Sequence, residues 1–158
     1  MNFARGAFVA FSVAAAFIGC SKELPREEFL NYYEEHCRVN ISRSGENFSA
    51  LALSKDYEIA KWGSPLDSGF RVLLWAYPRT NVPIIDGAFF LEGSDTLYAL
   101  ANSKTPLFET GNTDSFFFAF ARAPRGNMIF HVPDFGGKFG NLVFELKDCS
   151  HVRLKGNK

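Results

Sequence analysis

The chain after Asn40 alternates short apolar runs with clusters of Gly, Pro, Asn and Asp. Such runs, rich in Phe, Val, Ile, Leu and Tyr and bounded by turn-forming residues, are typical of β-strands. The segments 92–95 and 123–127 have the composition of turns, which indicates consecutive antiparallel hairpins. We therefore expect a mainly β fold, an antiparallel β-sandwich or barrel of about eight short strands with one N-terminal amphipathic helix. The predicted strands are Phe48–Ser54, Tyr57–Trp62, Phe70–Tyr77, Ile84–Leu91, Thr96–Ala101, Phe116–Arg122, Met128–Val132 and Leu142–Leu146.

The run Phe116–Arg122 is apolar on both faces of the predicted strand. Alternation puts every second residue from Phe116 to Phe120 on one face, and Phe117 with two alanines on the other. Because neither face favours water, we expect a central strand covered on both sides, one of them by the N-terminal helix. The alternative is that the phenylalanine face is an exposed docking patch.

The helix is predicted over Leu24–Arg38. Pro25 suits the first turn of a helix, and Glu27 and Glu28 complement the positive end of the helix dipole. One side of this helix would carry Phe29, Tyr33, His36 and Cys37.

A short basic segment and an apolar segment precede this helix. Met1–Gly6 contains Arg5, and the twelve residues Ala7–Ile18 contain no charged side chain. As a helix the apolar segment would reach only about 20 Å, short of the roughly 30 Å hydrocarbon core of a bilayer. It is therefore better interpreted as a removable export signal than as a membrane span.

The apolar segment ends in Phe17-Ile18-Gly19-Cys20-Ser21, which resembles the lipobox of bacterial lipoproteins. The resemblance implies a signal peptide over residues 1–19, a diacylglyceryl and palmitate anchor on Cys20, a short tether over 20–23 and a single domain over 24–158. Phe17 and Ile18 depart from the Leu and the small residue that are usual in this motif. The alternative is an ordinary secretory signal that is cut elsewhere.

The same resemblance implies a location at the cell envelope, anchored in the membrane. Ser21 follows the cysteine where inner-membrane lipoproteins commonly have Asp, so the outer membrane is expected if the host has two membranes. The lipid bilayer, reached through acylated Cys20, is the first expected partner.

The mature chain has the size and charge of one ordinary domain. Removing residues 1–19 from the 158 residues leaves 139, enough for one hydrophobic core. The 17 basic and 17 acidic side chains balance, and loss of Arg5 changes the formal charge from 0 to −1. No strong positive field favours nucleic acid as a partner.

The three cysteines divide into one for lipid and two that remain. With Cys20 acylated, Cys37 and Cys149 would be left in an oxidising compartment, and we expect them to form a disulfide. Two buried free thiols are the alternative. Catalysis by Cys37 with His36 is not expected, because adjacent helical residues point about 100° apart.

The candidates for catalysis are weak. None of the histidines has a metal-ligand spacing, and a dyad of His131 with Asp134 finds no Gly-x-Ser-x-Gly nucleophile. Asp134-Phe135-Gly136 spells a kinase tripeptide without the other kinase motifs. We expect a non-enzymatic protein with no cofactor and no metal.

Trp75 and Tyr77 are the candidate binding residues. They share a strand face with Arg71 and Leu73, which indicates either core aromatics or a solvent-edge strip that stacks on sugar rings. Because the catalytic candidates are weak and the predicted anchor lies close to the domain, the expected function is binding or scaffolding at the cell envelope through protein contacts close to the membrane. The alternative is a glycan-binding module that recognises polysaccharide at the cell surface.

Overall fold

A computed structural model describes residues 21–66, 68–80, 85–104, 111–135 and 137–157. Within these ranges the helices are α1 (Arg26–His36) and α2 (Lys55–Trp62). The strands are β1 (Lys22–Leu24), β2 (Val39–Arg43), β3 (Glu46–Leu53), β4 (Phe70–Tyr77), β5 (Phe89–Glu92), β6 (Asp95–Tyr98), β7 (Ala101–Lys104), β8 (Asp114–Phe120), β9 (Ile129–Val132), β10 (Leu142–Glu145) and β11 (Val152–Leu154).

Two antiparallel sheets face each other. The five-stranded sheet has the order β2-β3-β4-β8-β7, and the four-stranded sheet has the order β10-β9-β5-β6. A small parallel pair, β1 with β11, lies apart from both. The fold is mainly β, as the sequence predicts, and of the two alternatives it is the sandwich.

The core between the two sheets is built largely from phenylalanine. Phe48, Phe116 and Phe118 enter it from the five-stranded sheet, and Phe90 and Phe130 enter it from the four-stranded sheet. The rings of Phe118 and Phe130 meet edge to face at 5.3 Å between centroids. Aromatic pairs in this geometry stabilise a fold by more than the burial of their area alone would. These contacts therefore hold the two sheets together.

A second core lies on the other side of the five-stranded sheet. Phe29 and Tyr33 of α1 and Tyr57 of α2 pack against Leu51 and Leu73 of that sheet. Helices, five-stranded sheet and four-stranded sheet therefore form three layers.

The disulfide between Cys37 and Cys149 lies within this helix-side core, with Cα atoms 6.2 Å apart. The predicted pairing is confirmed. It ties the end of α1 to the segment that precedes β11.

The strand predicted at Phe116–Arg122 is central, as expected. β8 lies between β4 and β7, with Phe116, Phe118 and Phe120 in the sandwich core. Phe117 faces the other way and packs in the helix-side core. The alternative of an exposed phenylalanine face is wrong, because the four-stranded sheet covers it.

The predicted strand Tyr57–Trp62 is wrong, because this segment is helix α2. Ser54 caps it by accepting a hydrogen bond from the backbone N–H of Tyr57, and Gly63 ends it in a left-handed conformation at φ 85°. Tyr57 and Ala60 are buried at helical spacing. The helices in the described residues are therefore two, where the sequence predicted one.

Several boundaries differ from the predictions. α1 begins at Arg26, with Pro25 as its N-cap. Leu24, the first residue of the predicted helix, belongs to β1, and this strand begins at Lys22 within the predicted tether. The strands β1, β2 and β11 were not predicted. The predicted strand Thr96–Ala101 is divided between β6 and β7, which belong to different sheets.

Only one of the two predicted turns forms a hairpin. The turn at 92–95 joins β5 and β6, which pair directly. The turn at 123–127 connects β8 to β9 and so crosses from one sheet to the other. The predicted strand Ile84–Leu91 corresponds to β5, which begins only at Phe89. Ile84 lies outside the described residues.

Candidate binding surfaces

The buried acidic groups serve the fold. Asp56 on α2 accepts hydrogen bonds from Arg153 Nε, Leu154 N and Asn157 Nδ2 at 2.7–2.9 Å. Burial alone would raise the pKa of Asp56, but these donors outweigh it and hold the pKa below its ordinary value. This carboxylate attaches α2 to the end of the chain.

Two further ion pairs have the same structural character. Glu58 and Arg71 form a buried pair at 2.9 Å, and burial raises the pKa of Glu58 against the opposing effect of Arg71. Fully buried Asp114 accepts from Thr80 and pairs with Lys104 Nζ at 2.7 Å. The carboxylates of Glu58 and Asp114 are therefore engaged by other residues of this chain.

His131 and Asp134, the candidate dyad, have separate partners. The ring of His131 stacks on Phe89 with centroids 4.7 Å apart and planes 1° apart, and burial lowers the pKa of His131. Asp134 Oδ1 accepts a hydrogen bond from Phe139 N, and Asp134 N donates to Asn141 Oδ1. Asp134 thus holds its own loop, while His131 belongs to an aromatic surface.

That surface lies on the outer face of the four-stranded sheet. Cross-strand pairing puts Tyr98 opposite Phe89, Phe89 opposite His131, and His131 opposite Val143. Leu91 follows two residues after Phe89 on the same face. We call these five residues the apolar row.

Much of the apolar row is open to solvent. Tyr98 is 59% exposed, and Leu91 and Val143 are each 46% exposed. Beside it, a hollow of about 230 Å³ is lined by Phe89, His131, Val132, Pro133 and Asn141. This is smaller than the pockets of roughly 300–1,000 Å³ that hold most small ligands.

The predicted pair Trp75 and Tyr77 lies on the helix-side face of the five-stranded sheet. Trp75 is half-buried under the guanidinium of Arg38, 4.5 Å from its ring centroid, and Tyr77 is 53% exposed. Arg71 and Leu73 of the same face are buried. The face is thus buried at the Arg71 end of β4 and exposed at the Tyr77 end.

Two polar cross-strand pairs flank the exposed end. Ser49 Oγ donates to Asn40 Oδ1 and Ser42 Oγ donates to Asn47 Oδ1, each at 2.6 Å. Ser49 is the strand neighbour of Trp75, and Asn47 is that of Tyr77. We call this surface the polar-aromatic strip; it consists of Asn40, Ser42, Asn47, Ser49, Trp75 and Tyr77.

Two open grooves lie beside the first residues of α2. Their volumes are about 350 and 380 Å³, and both are lined by Ser54, Lys55 and Ser150; Cys149 of the disulfide lines the larger. Over the described ranges, no group of three or more His, Cys, Asp or Glu side chains could hold a metal ion.

The sequence missed the apolar row, although a signal was present. Phe89-Phe90-Leu91 is a continuous apolar run within a predicted strand, so alternation puts apolar side chains on both faces. Phe90 fills the core, and its two neighbours lie on the outer face. The remaining predicted site residue, Cys20, lies outside the described residues.

Comparison with protein-family models, with curated proteins and with solved structures finds no match to this chain. In the part of the chain that the structure describes, no helix is long and apolar enough to cross a membrane. The functional argument therefore depends on the chemistry of the surfaces themselves.

Proposed function

We propose that this protein is a lipoprotein of the bacterial cell envelope, anchored through acylated Cys20, that binds a protein partner through the apolar row. Its role is binding or scaffolding rather than catalysis. The anchor is supported by the lipobox-like sequence before Ser21. The binding role is supported by the outer face of the four-stranded sheet.

The observation that carries the proposal is the exposure of apolar side chains on a solvent-facing sheet. The outer face of an antiparallel sheet usually carries polar residues. Here Tyr98, Leu91 and Val143 are each close to half exposed or more, and they lie next to Phe89 and His131. Exposed apolar patches that persist on a folded protein typically mark interaction sites.

The shape and charge of this face favour a protein as the partner. The apolar row runs across four adjacent strands, and aromatic residues are enriched at the buried centres of protein interfaces. On the outward positions of β5, β6, β9 and β10, Glu145 is the charged carboxylate. We therefore expect a partner with an apolar centre and a cationic group that faces Glu145.

The position of the face also suits a protein anchored at its other side. Leu24 of β1 packs in the helix-side core, and β1 begins close in sequence to Cys20. The five-stranded sheet separates that core from the four-stranded sheet. A lipid at Cys20 would hold the helix layer near the bilayer and leave the apolar row turned toward a partner.

Site-specific photo-cross-linking in intact cells tests the binding role. A photoreactive phenylalanine analogue at Tyr98 should give one defined cross-linked protein, because Tyr98 would lie at the interface. Leu91→Asp should abolish that product by putting an unpaired charge into the apolar centre. Leu100→Asp is the matched control, since Leu100 is an exposed leucine in the crossover between the sheets.

The proposed interface is wrong if Tyr98 gives no defined product, or if Leu91→Asp and Leu100→Asp weaken the product equally. The anchor is tested separately. Cys20→Ser should move the protein from the membrane fraction to the soluble fraction and abolish labelling with radioactive palmitate. Unchanged fractionation and labelling of that variant would contradict the lipid anchor.

A further inference from the structure

The polar-aromatic strip combines an exposed aromatic ring with fixed amide groups. Trp75 and Tyr77 are two residues apart on one strand, so their Cα atoms are about 7 Å apart on the same face. Tyr77 as a residue is 53% exposed. Its ring is therefore available as a stacking surface beside the more deeply set indole.

The amides beside these rings are held in a defined orientation. Each asparagine oxygen already accepts a hydrogen bond from a serine hydroxyl across the strand pair, Asn40 from Ser49 and Asn47 from Ser42. A carboxamide has two N–H donors in addition to its oxygen. Since the oxygens of Asn40 and Asn47 are engaged, the NH₂ groups of these exposed residues are the donors offered to a ligand.

The strip is nearly uncharged. Its six residues carry no formal charge, and Arg38, which lies over Trp75, is within 3.6 Å of Glu34. The side chains of the strip itself therefore offer no ion pair to an anionic or a cationic polymer. The strip suits a neutral ligand that has many hydroxyl groups and an apolar ring face.

We propose that the polar-aromatic strip binds a neutral polysaccharide. A pyranose ring stacks its C–H face on Tyr77, and its hydroxyls accept hydrogen bonds from the amide groups of Asn47 and Asn40. Aromatic faces are electron-rich, so they attract the weakly positive C–H groups of the sugar. The strip lies on the opposite side of the five-stranded sheet from the sandwich core, so this site is separate from the apolar row.

Affinity gel electrophoresis of the mature domain, with its disulfide intact, tests this site. The gels contain one polysaccharide each: laminarin, hydroxyethylcellulose or galactomannan as neutral probes, and polygalacturonate as the acidic probe. At least one neutral probe should retard the protein at least twofold relative to a non-binding reference protein. Binding to the same polysaccharide should persist in a parallel binding assay in about 0.5 M salt. At this salt concentration, ionic contacts between exposed groups are largely screened.

Variants assign the retardation to the strip. Tyr77→Ala and Asn47→Ala should each abolish it, whereas Tyr77→Phe should retain it because the ring is kept. Tyr98→Ala is the matched control, since Tyr98 is a tyrosine of similar exposure on the four-stranded sheet. Thermal melting of each variant checks that it is folded.

Three results would overturn the proposal: no retardation by any neutral probe, retardation by polygalacturonate alone that salt abolishes, or equal losses in Tyr77→Ala and Tyr98→Ala. The result is independent of the proposed protein partner. Tyr77→Ala should leave the Tyr98 cross-link unchanged, and Leu91→Asp should leave polysaccharide binding unchanged.

Discussion

At the scale of single residues, Asp56 connects helix α2 to the end of the chain. Its two oxygens accept from three donors near the end of the chain, about a hundred residues away in sequence. The donors lower the pKa of Asp56 despite its burial. The folded state therefore prefers the ionised form more strongly than the unfolded chain does.

Stability should depend on pH through this group. A carboxyl with a lowered pKa in the folded state stabilises the protein above its ordinary pKa, and that contribution disappears as the pH falls through the folded-state pKa. At neutral pH, Asp56→Asn should lower the free energy of unfolding by about 1–3 kcal/mol.

Urea denaturation across pH measures this effect. The difference between the wild type and Asp56→Asn should shrink as the pH falls below about 4, where the unfolded chain begins to bind a proton at Asp56, and should disappear at lower pH, once Asp56 is protonated in the folded state as well. Asp95→Asn, at an exposed position, is the control and should show a much smaller difference at neutral pH. A difference that stays constant with pH would contradict the role given to the charge.

Gly69 is a second position where one residue decides local structure. Its φ is +135°, and a Cβ there would lie 2.7 Å from the carbonyl oxygen of Phe120. Gly45 also has a positive φ, of +80°, but its Cβ would meet nothing within 4 Å. The two glycines therefore separate backbone strain from a steric clash.

Gly69→Ala should destabilise the protein more than Gly45→Ala, by about 1–3 kcal/mol, because the neighbouring backbone must move. Denaturant unfolding of the two variants gives the comparison. Equal losses would mean that the contact with Phe120 is relieved without cost.

At the scale of elements, α2 depends on signals at its ends. Ser54 accepts a hydrogen bond from Tyr57 N at 3.1 Å, and Asp56 and Glu58 lie in the first turn. Side-chain caps and acidic first turns both stabilise the beginning of a helix. These signals allow an eight-residue segment to be helical within a mainly β chain.

Ser54→Ala should lower the free energy of unfolding by about 1 kcal/mol, because the N–H of Tyr57 loses its acceptor. Ser54→Asp keeps a capping oxygen and should be close to neutral in effect. Thermal and urea unfolding measure both. If alanine and aspartate have the same effect, the cap contributes nothing measurable.

At the scale of the whole molecule, the disulfide joins regions that are 112 residues apart in sequence. It links α1 to the C-terminal segment, next to the parallel pair of β1 and β11. In the chain-entropy view, a cross-link that closes a long loop restricts the unfolded chain strongly. The helix layer is therefore held on the sandwich by a covalent bond as well as by its apolar core.

The double variant Cys37→Ser, Cys149→Ser should lose about 2–5 kcal/mol of unfolding free energy. Urea denaturation with and without dithiothreitol makes the measurement: the reductant should destabilise the wild type and leave the double variant unchanged. If dithiothreitol leaves the unfolding midpoint of the wild type unchanged, the stabilising role of the disulfide is contradicted.

Features whose signals are local follow directly from the amino-acid sequence. Alternating apolar residues and turn-forming neighbours specify Phe70–Tyr77 as a strand, with the bounds that the structure has. The all-apolar run from Phe116 indicates a strand covered on both faces. With Cys20 assigned to the proposed anchor, the two remaining cysteines indicate the disulfide. Each of these follows from periodicity or from a count, which need no knowledge of distant contacts.

Features that depend on contacts between distant segments arise only in the folded chain. The three-residue strands β1 and β11 exist because they pair with each other from opposite ends of the chain. Trp75 and Tyr77 share one face, yet α1 leads to the Arg38 that covers the first and leaves the second exposed. Likewise, Phe89 and Phe90 are identical in type. Only the packing of the four-stranded sheet against the five-stranded sheet determines which of them enters the core and which faces outward. A hydrophobic side chain is equally favourable against any apolar surface, so sequence pattern specifies that it is buried or paired, while the arrangement of layers specifies where.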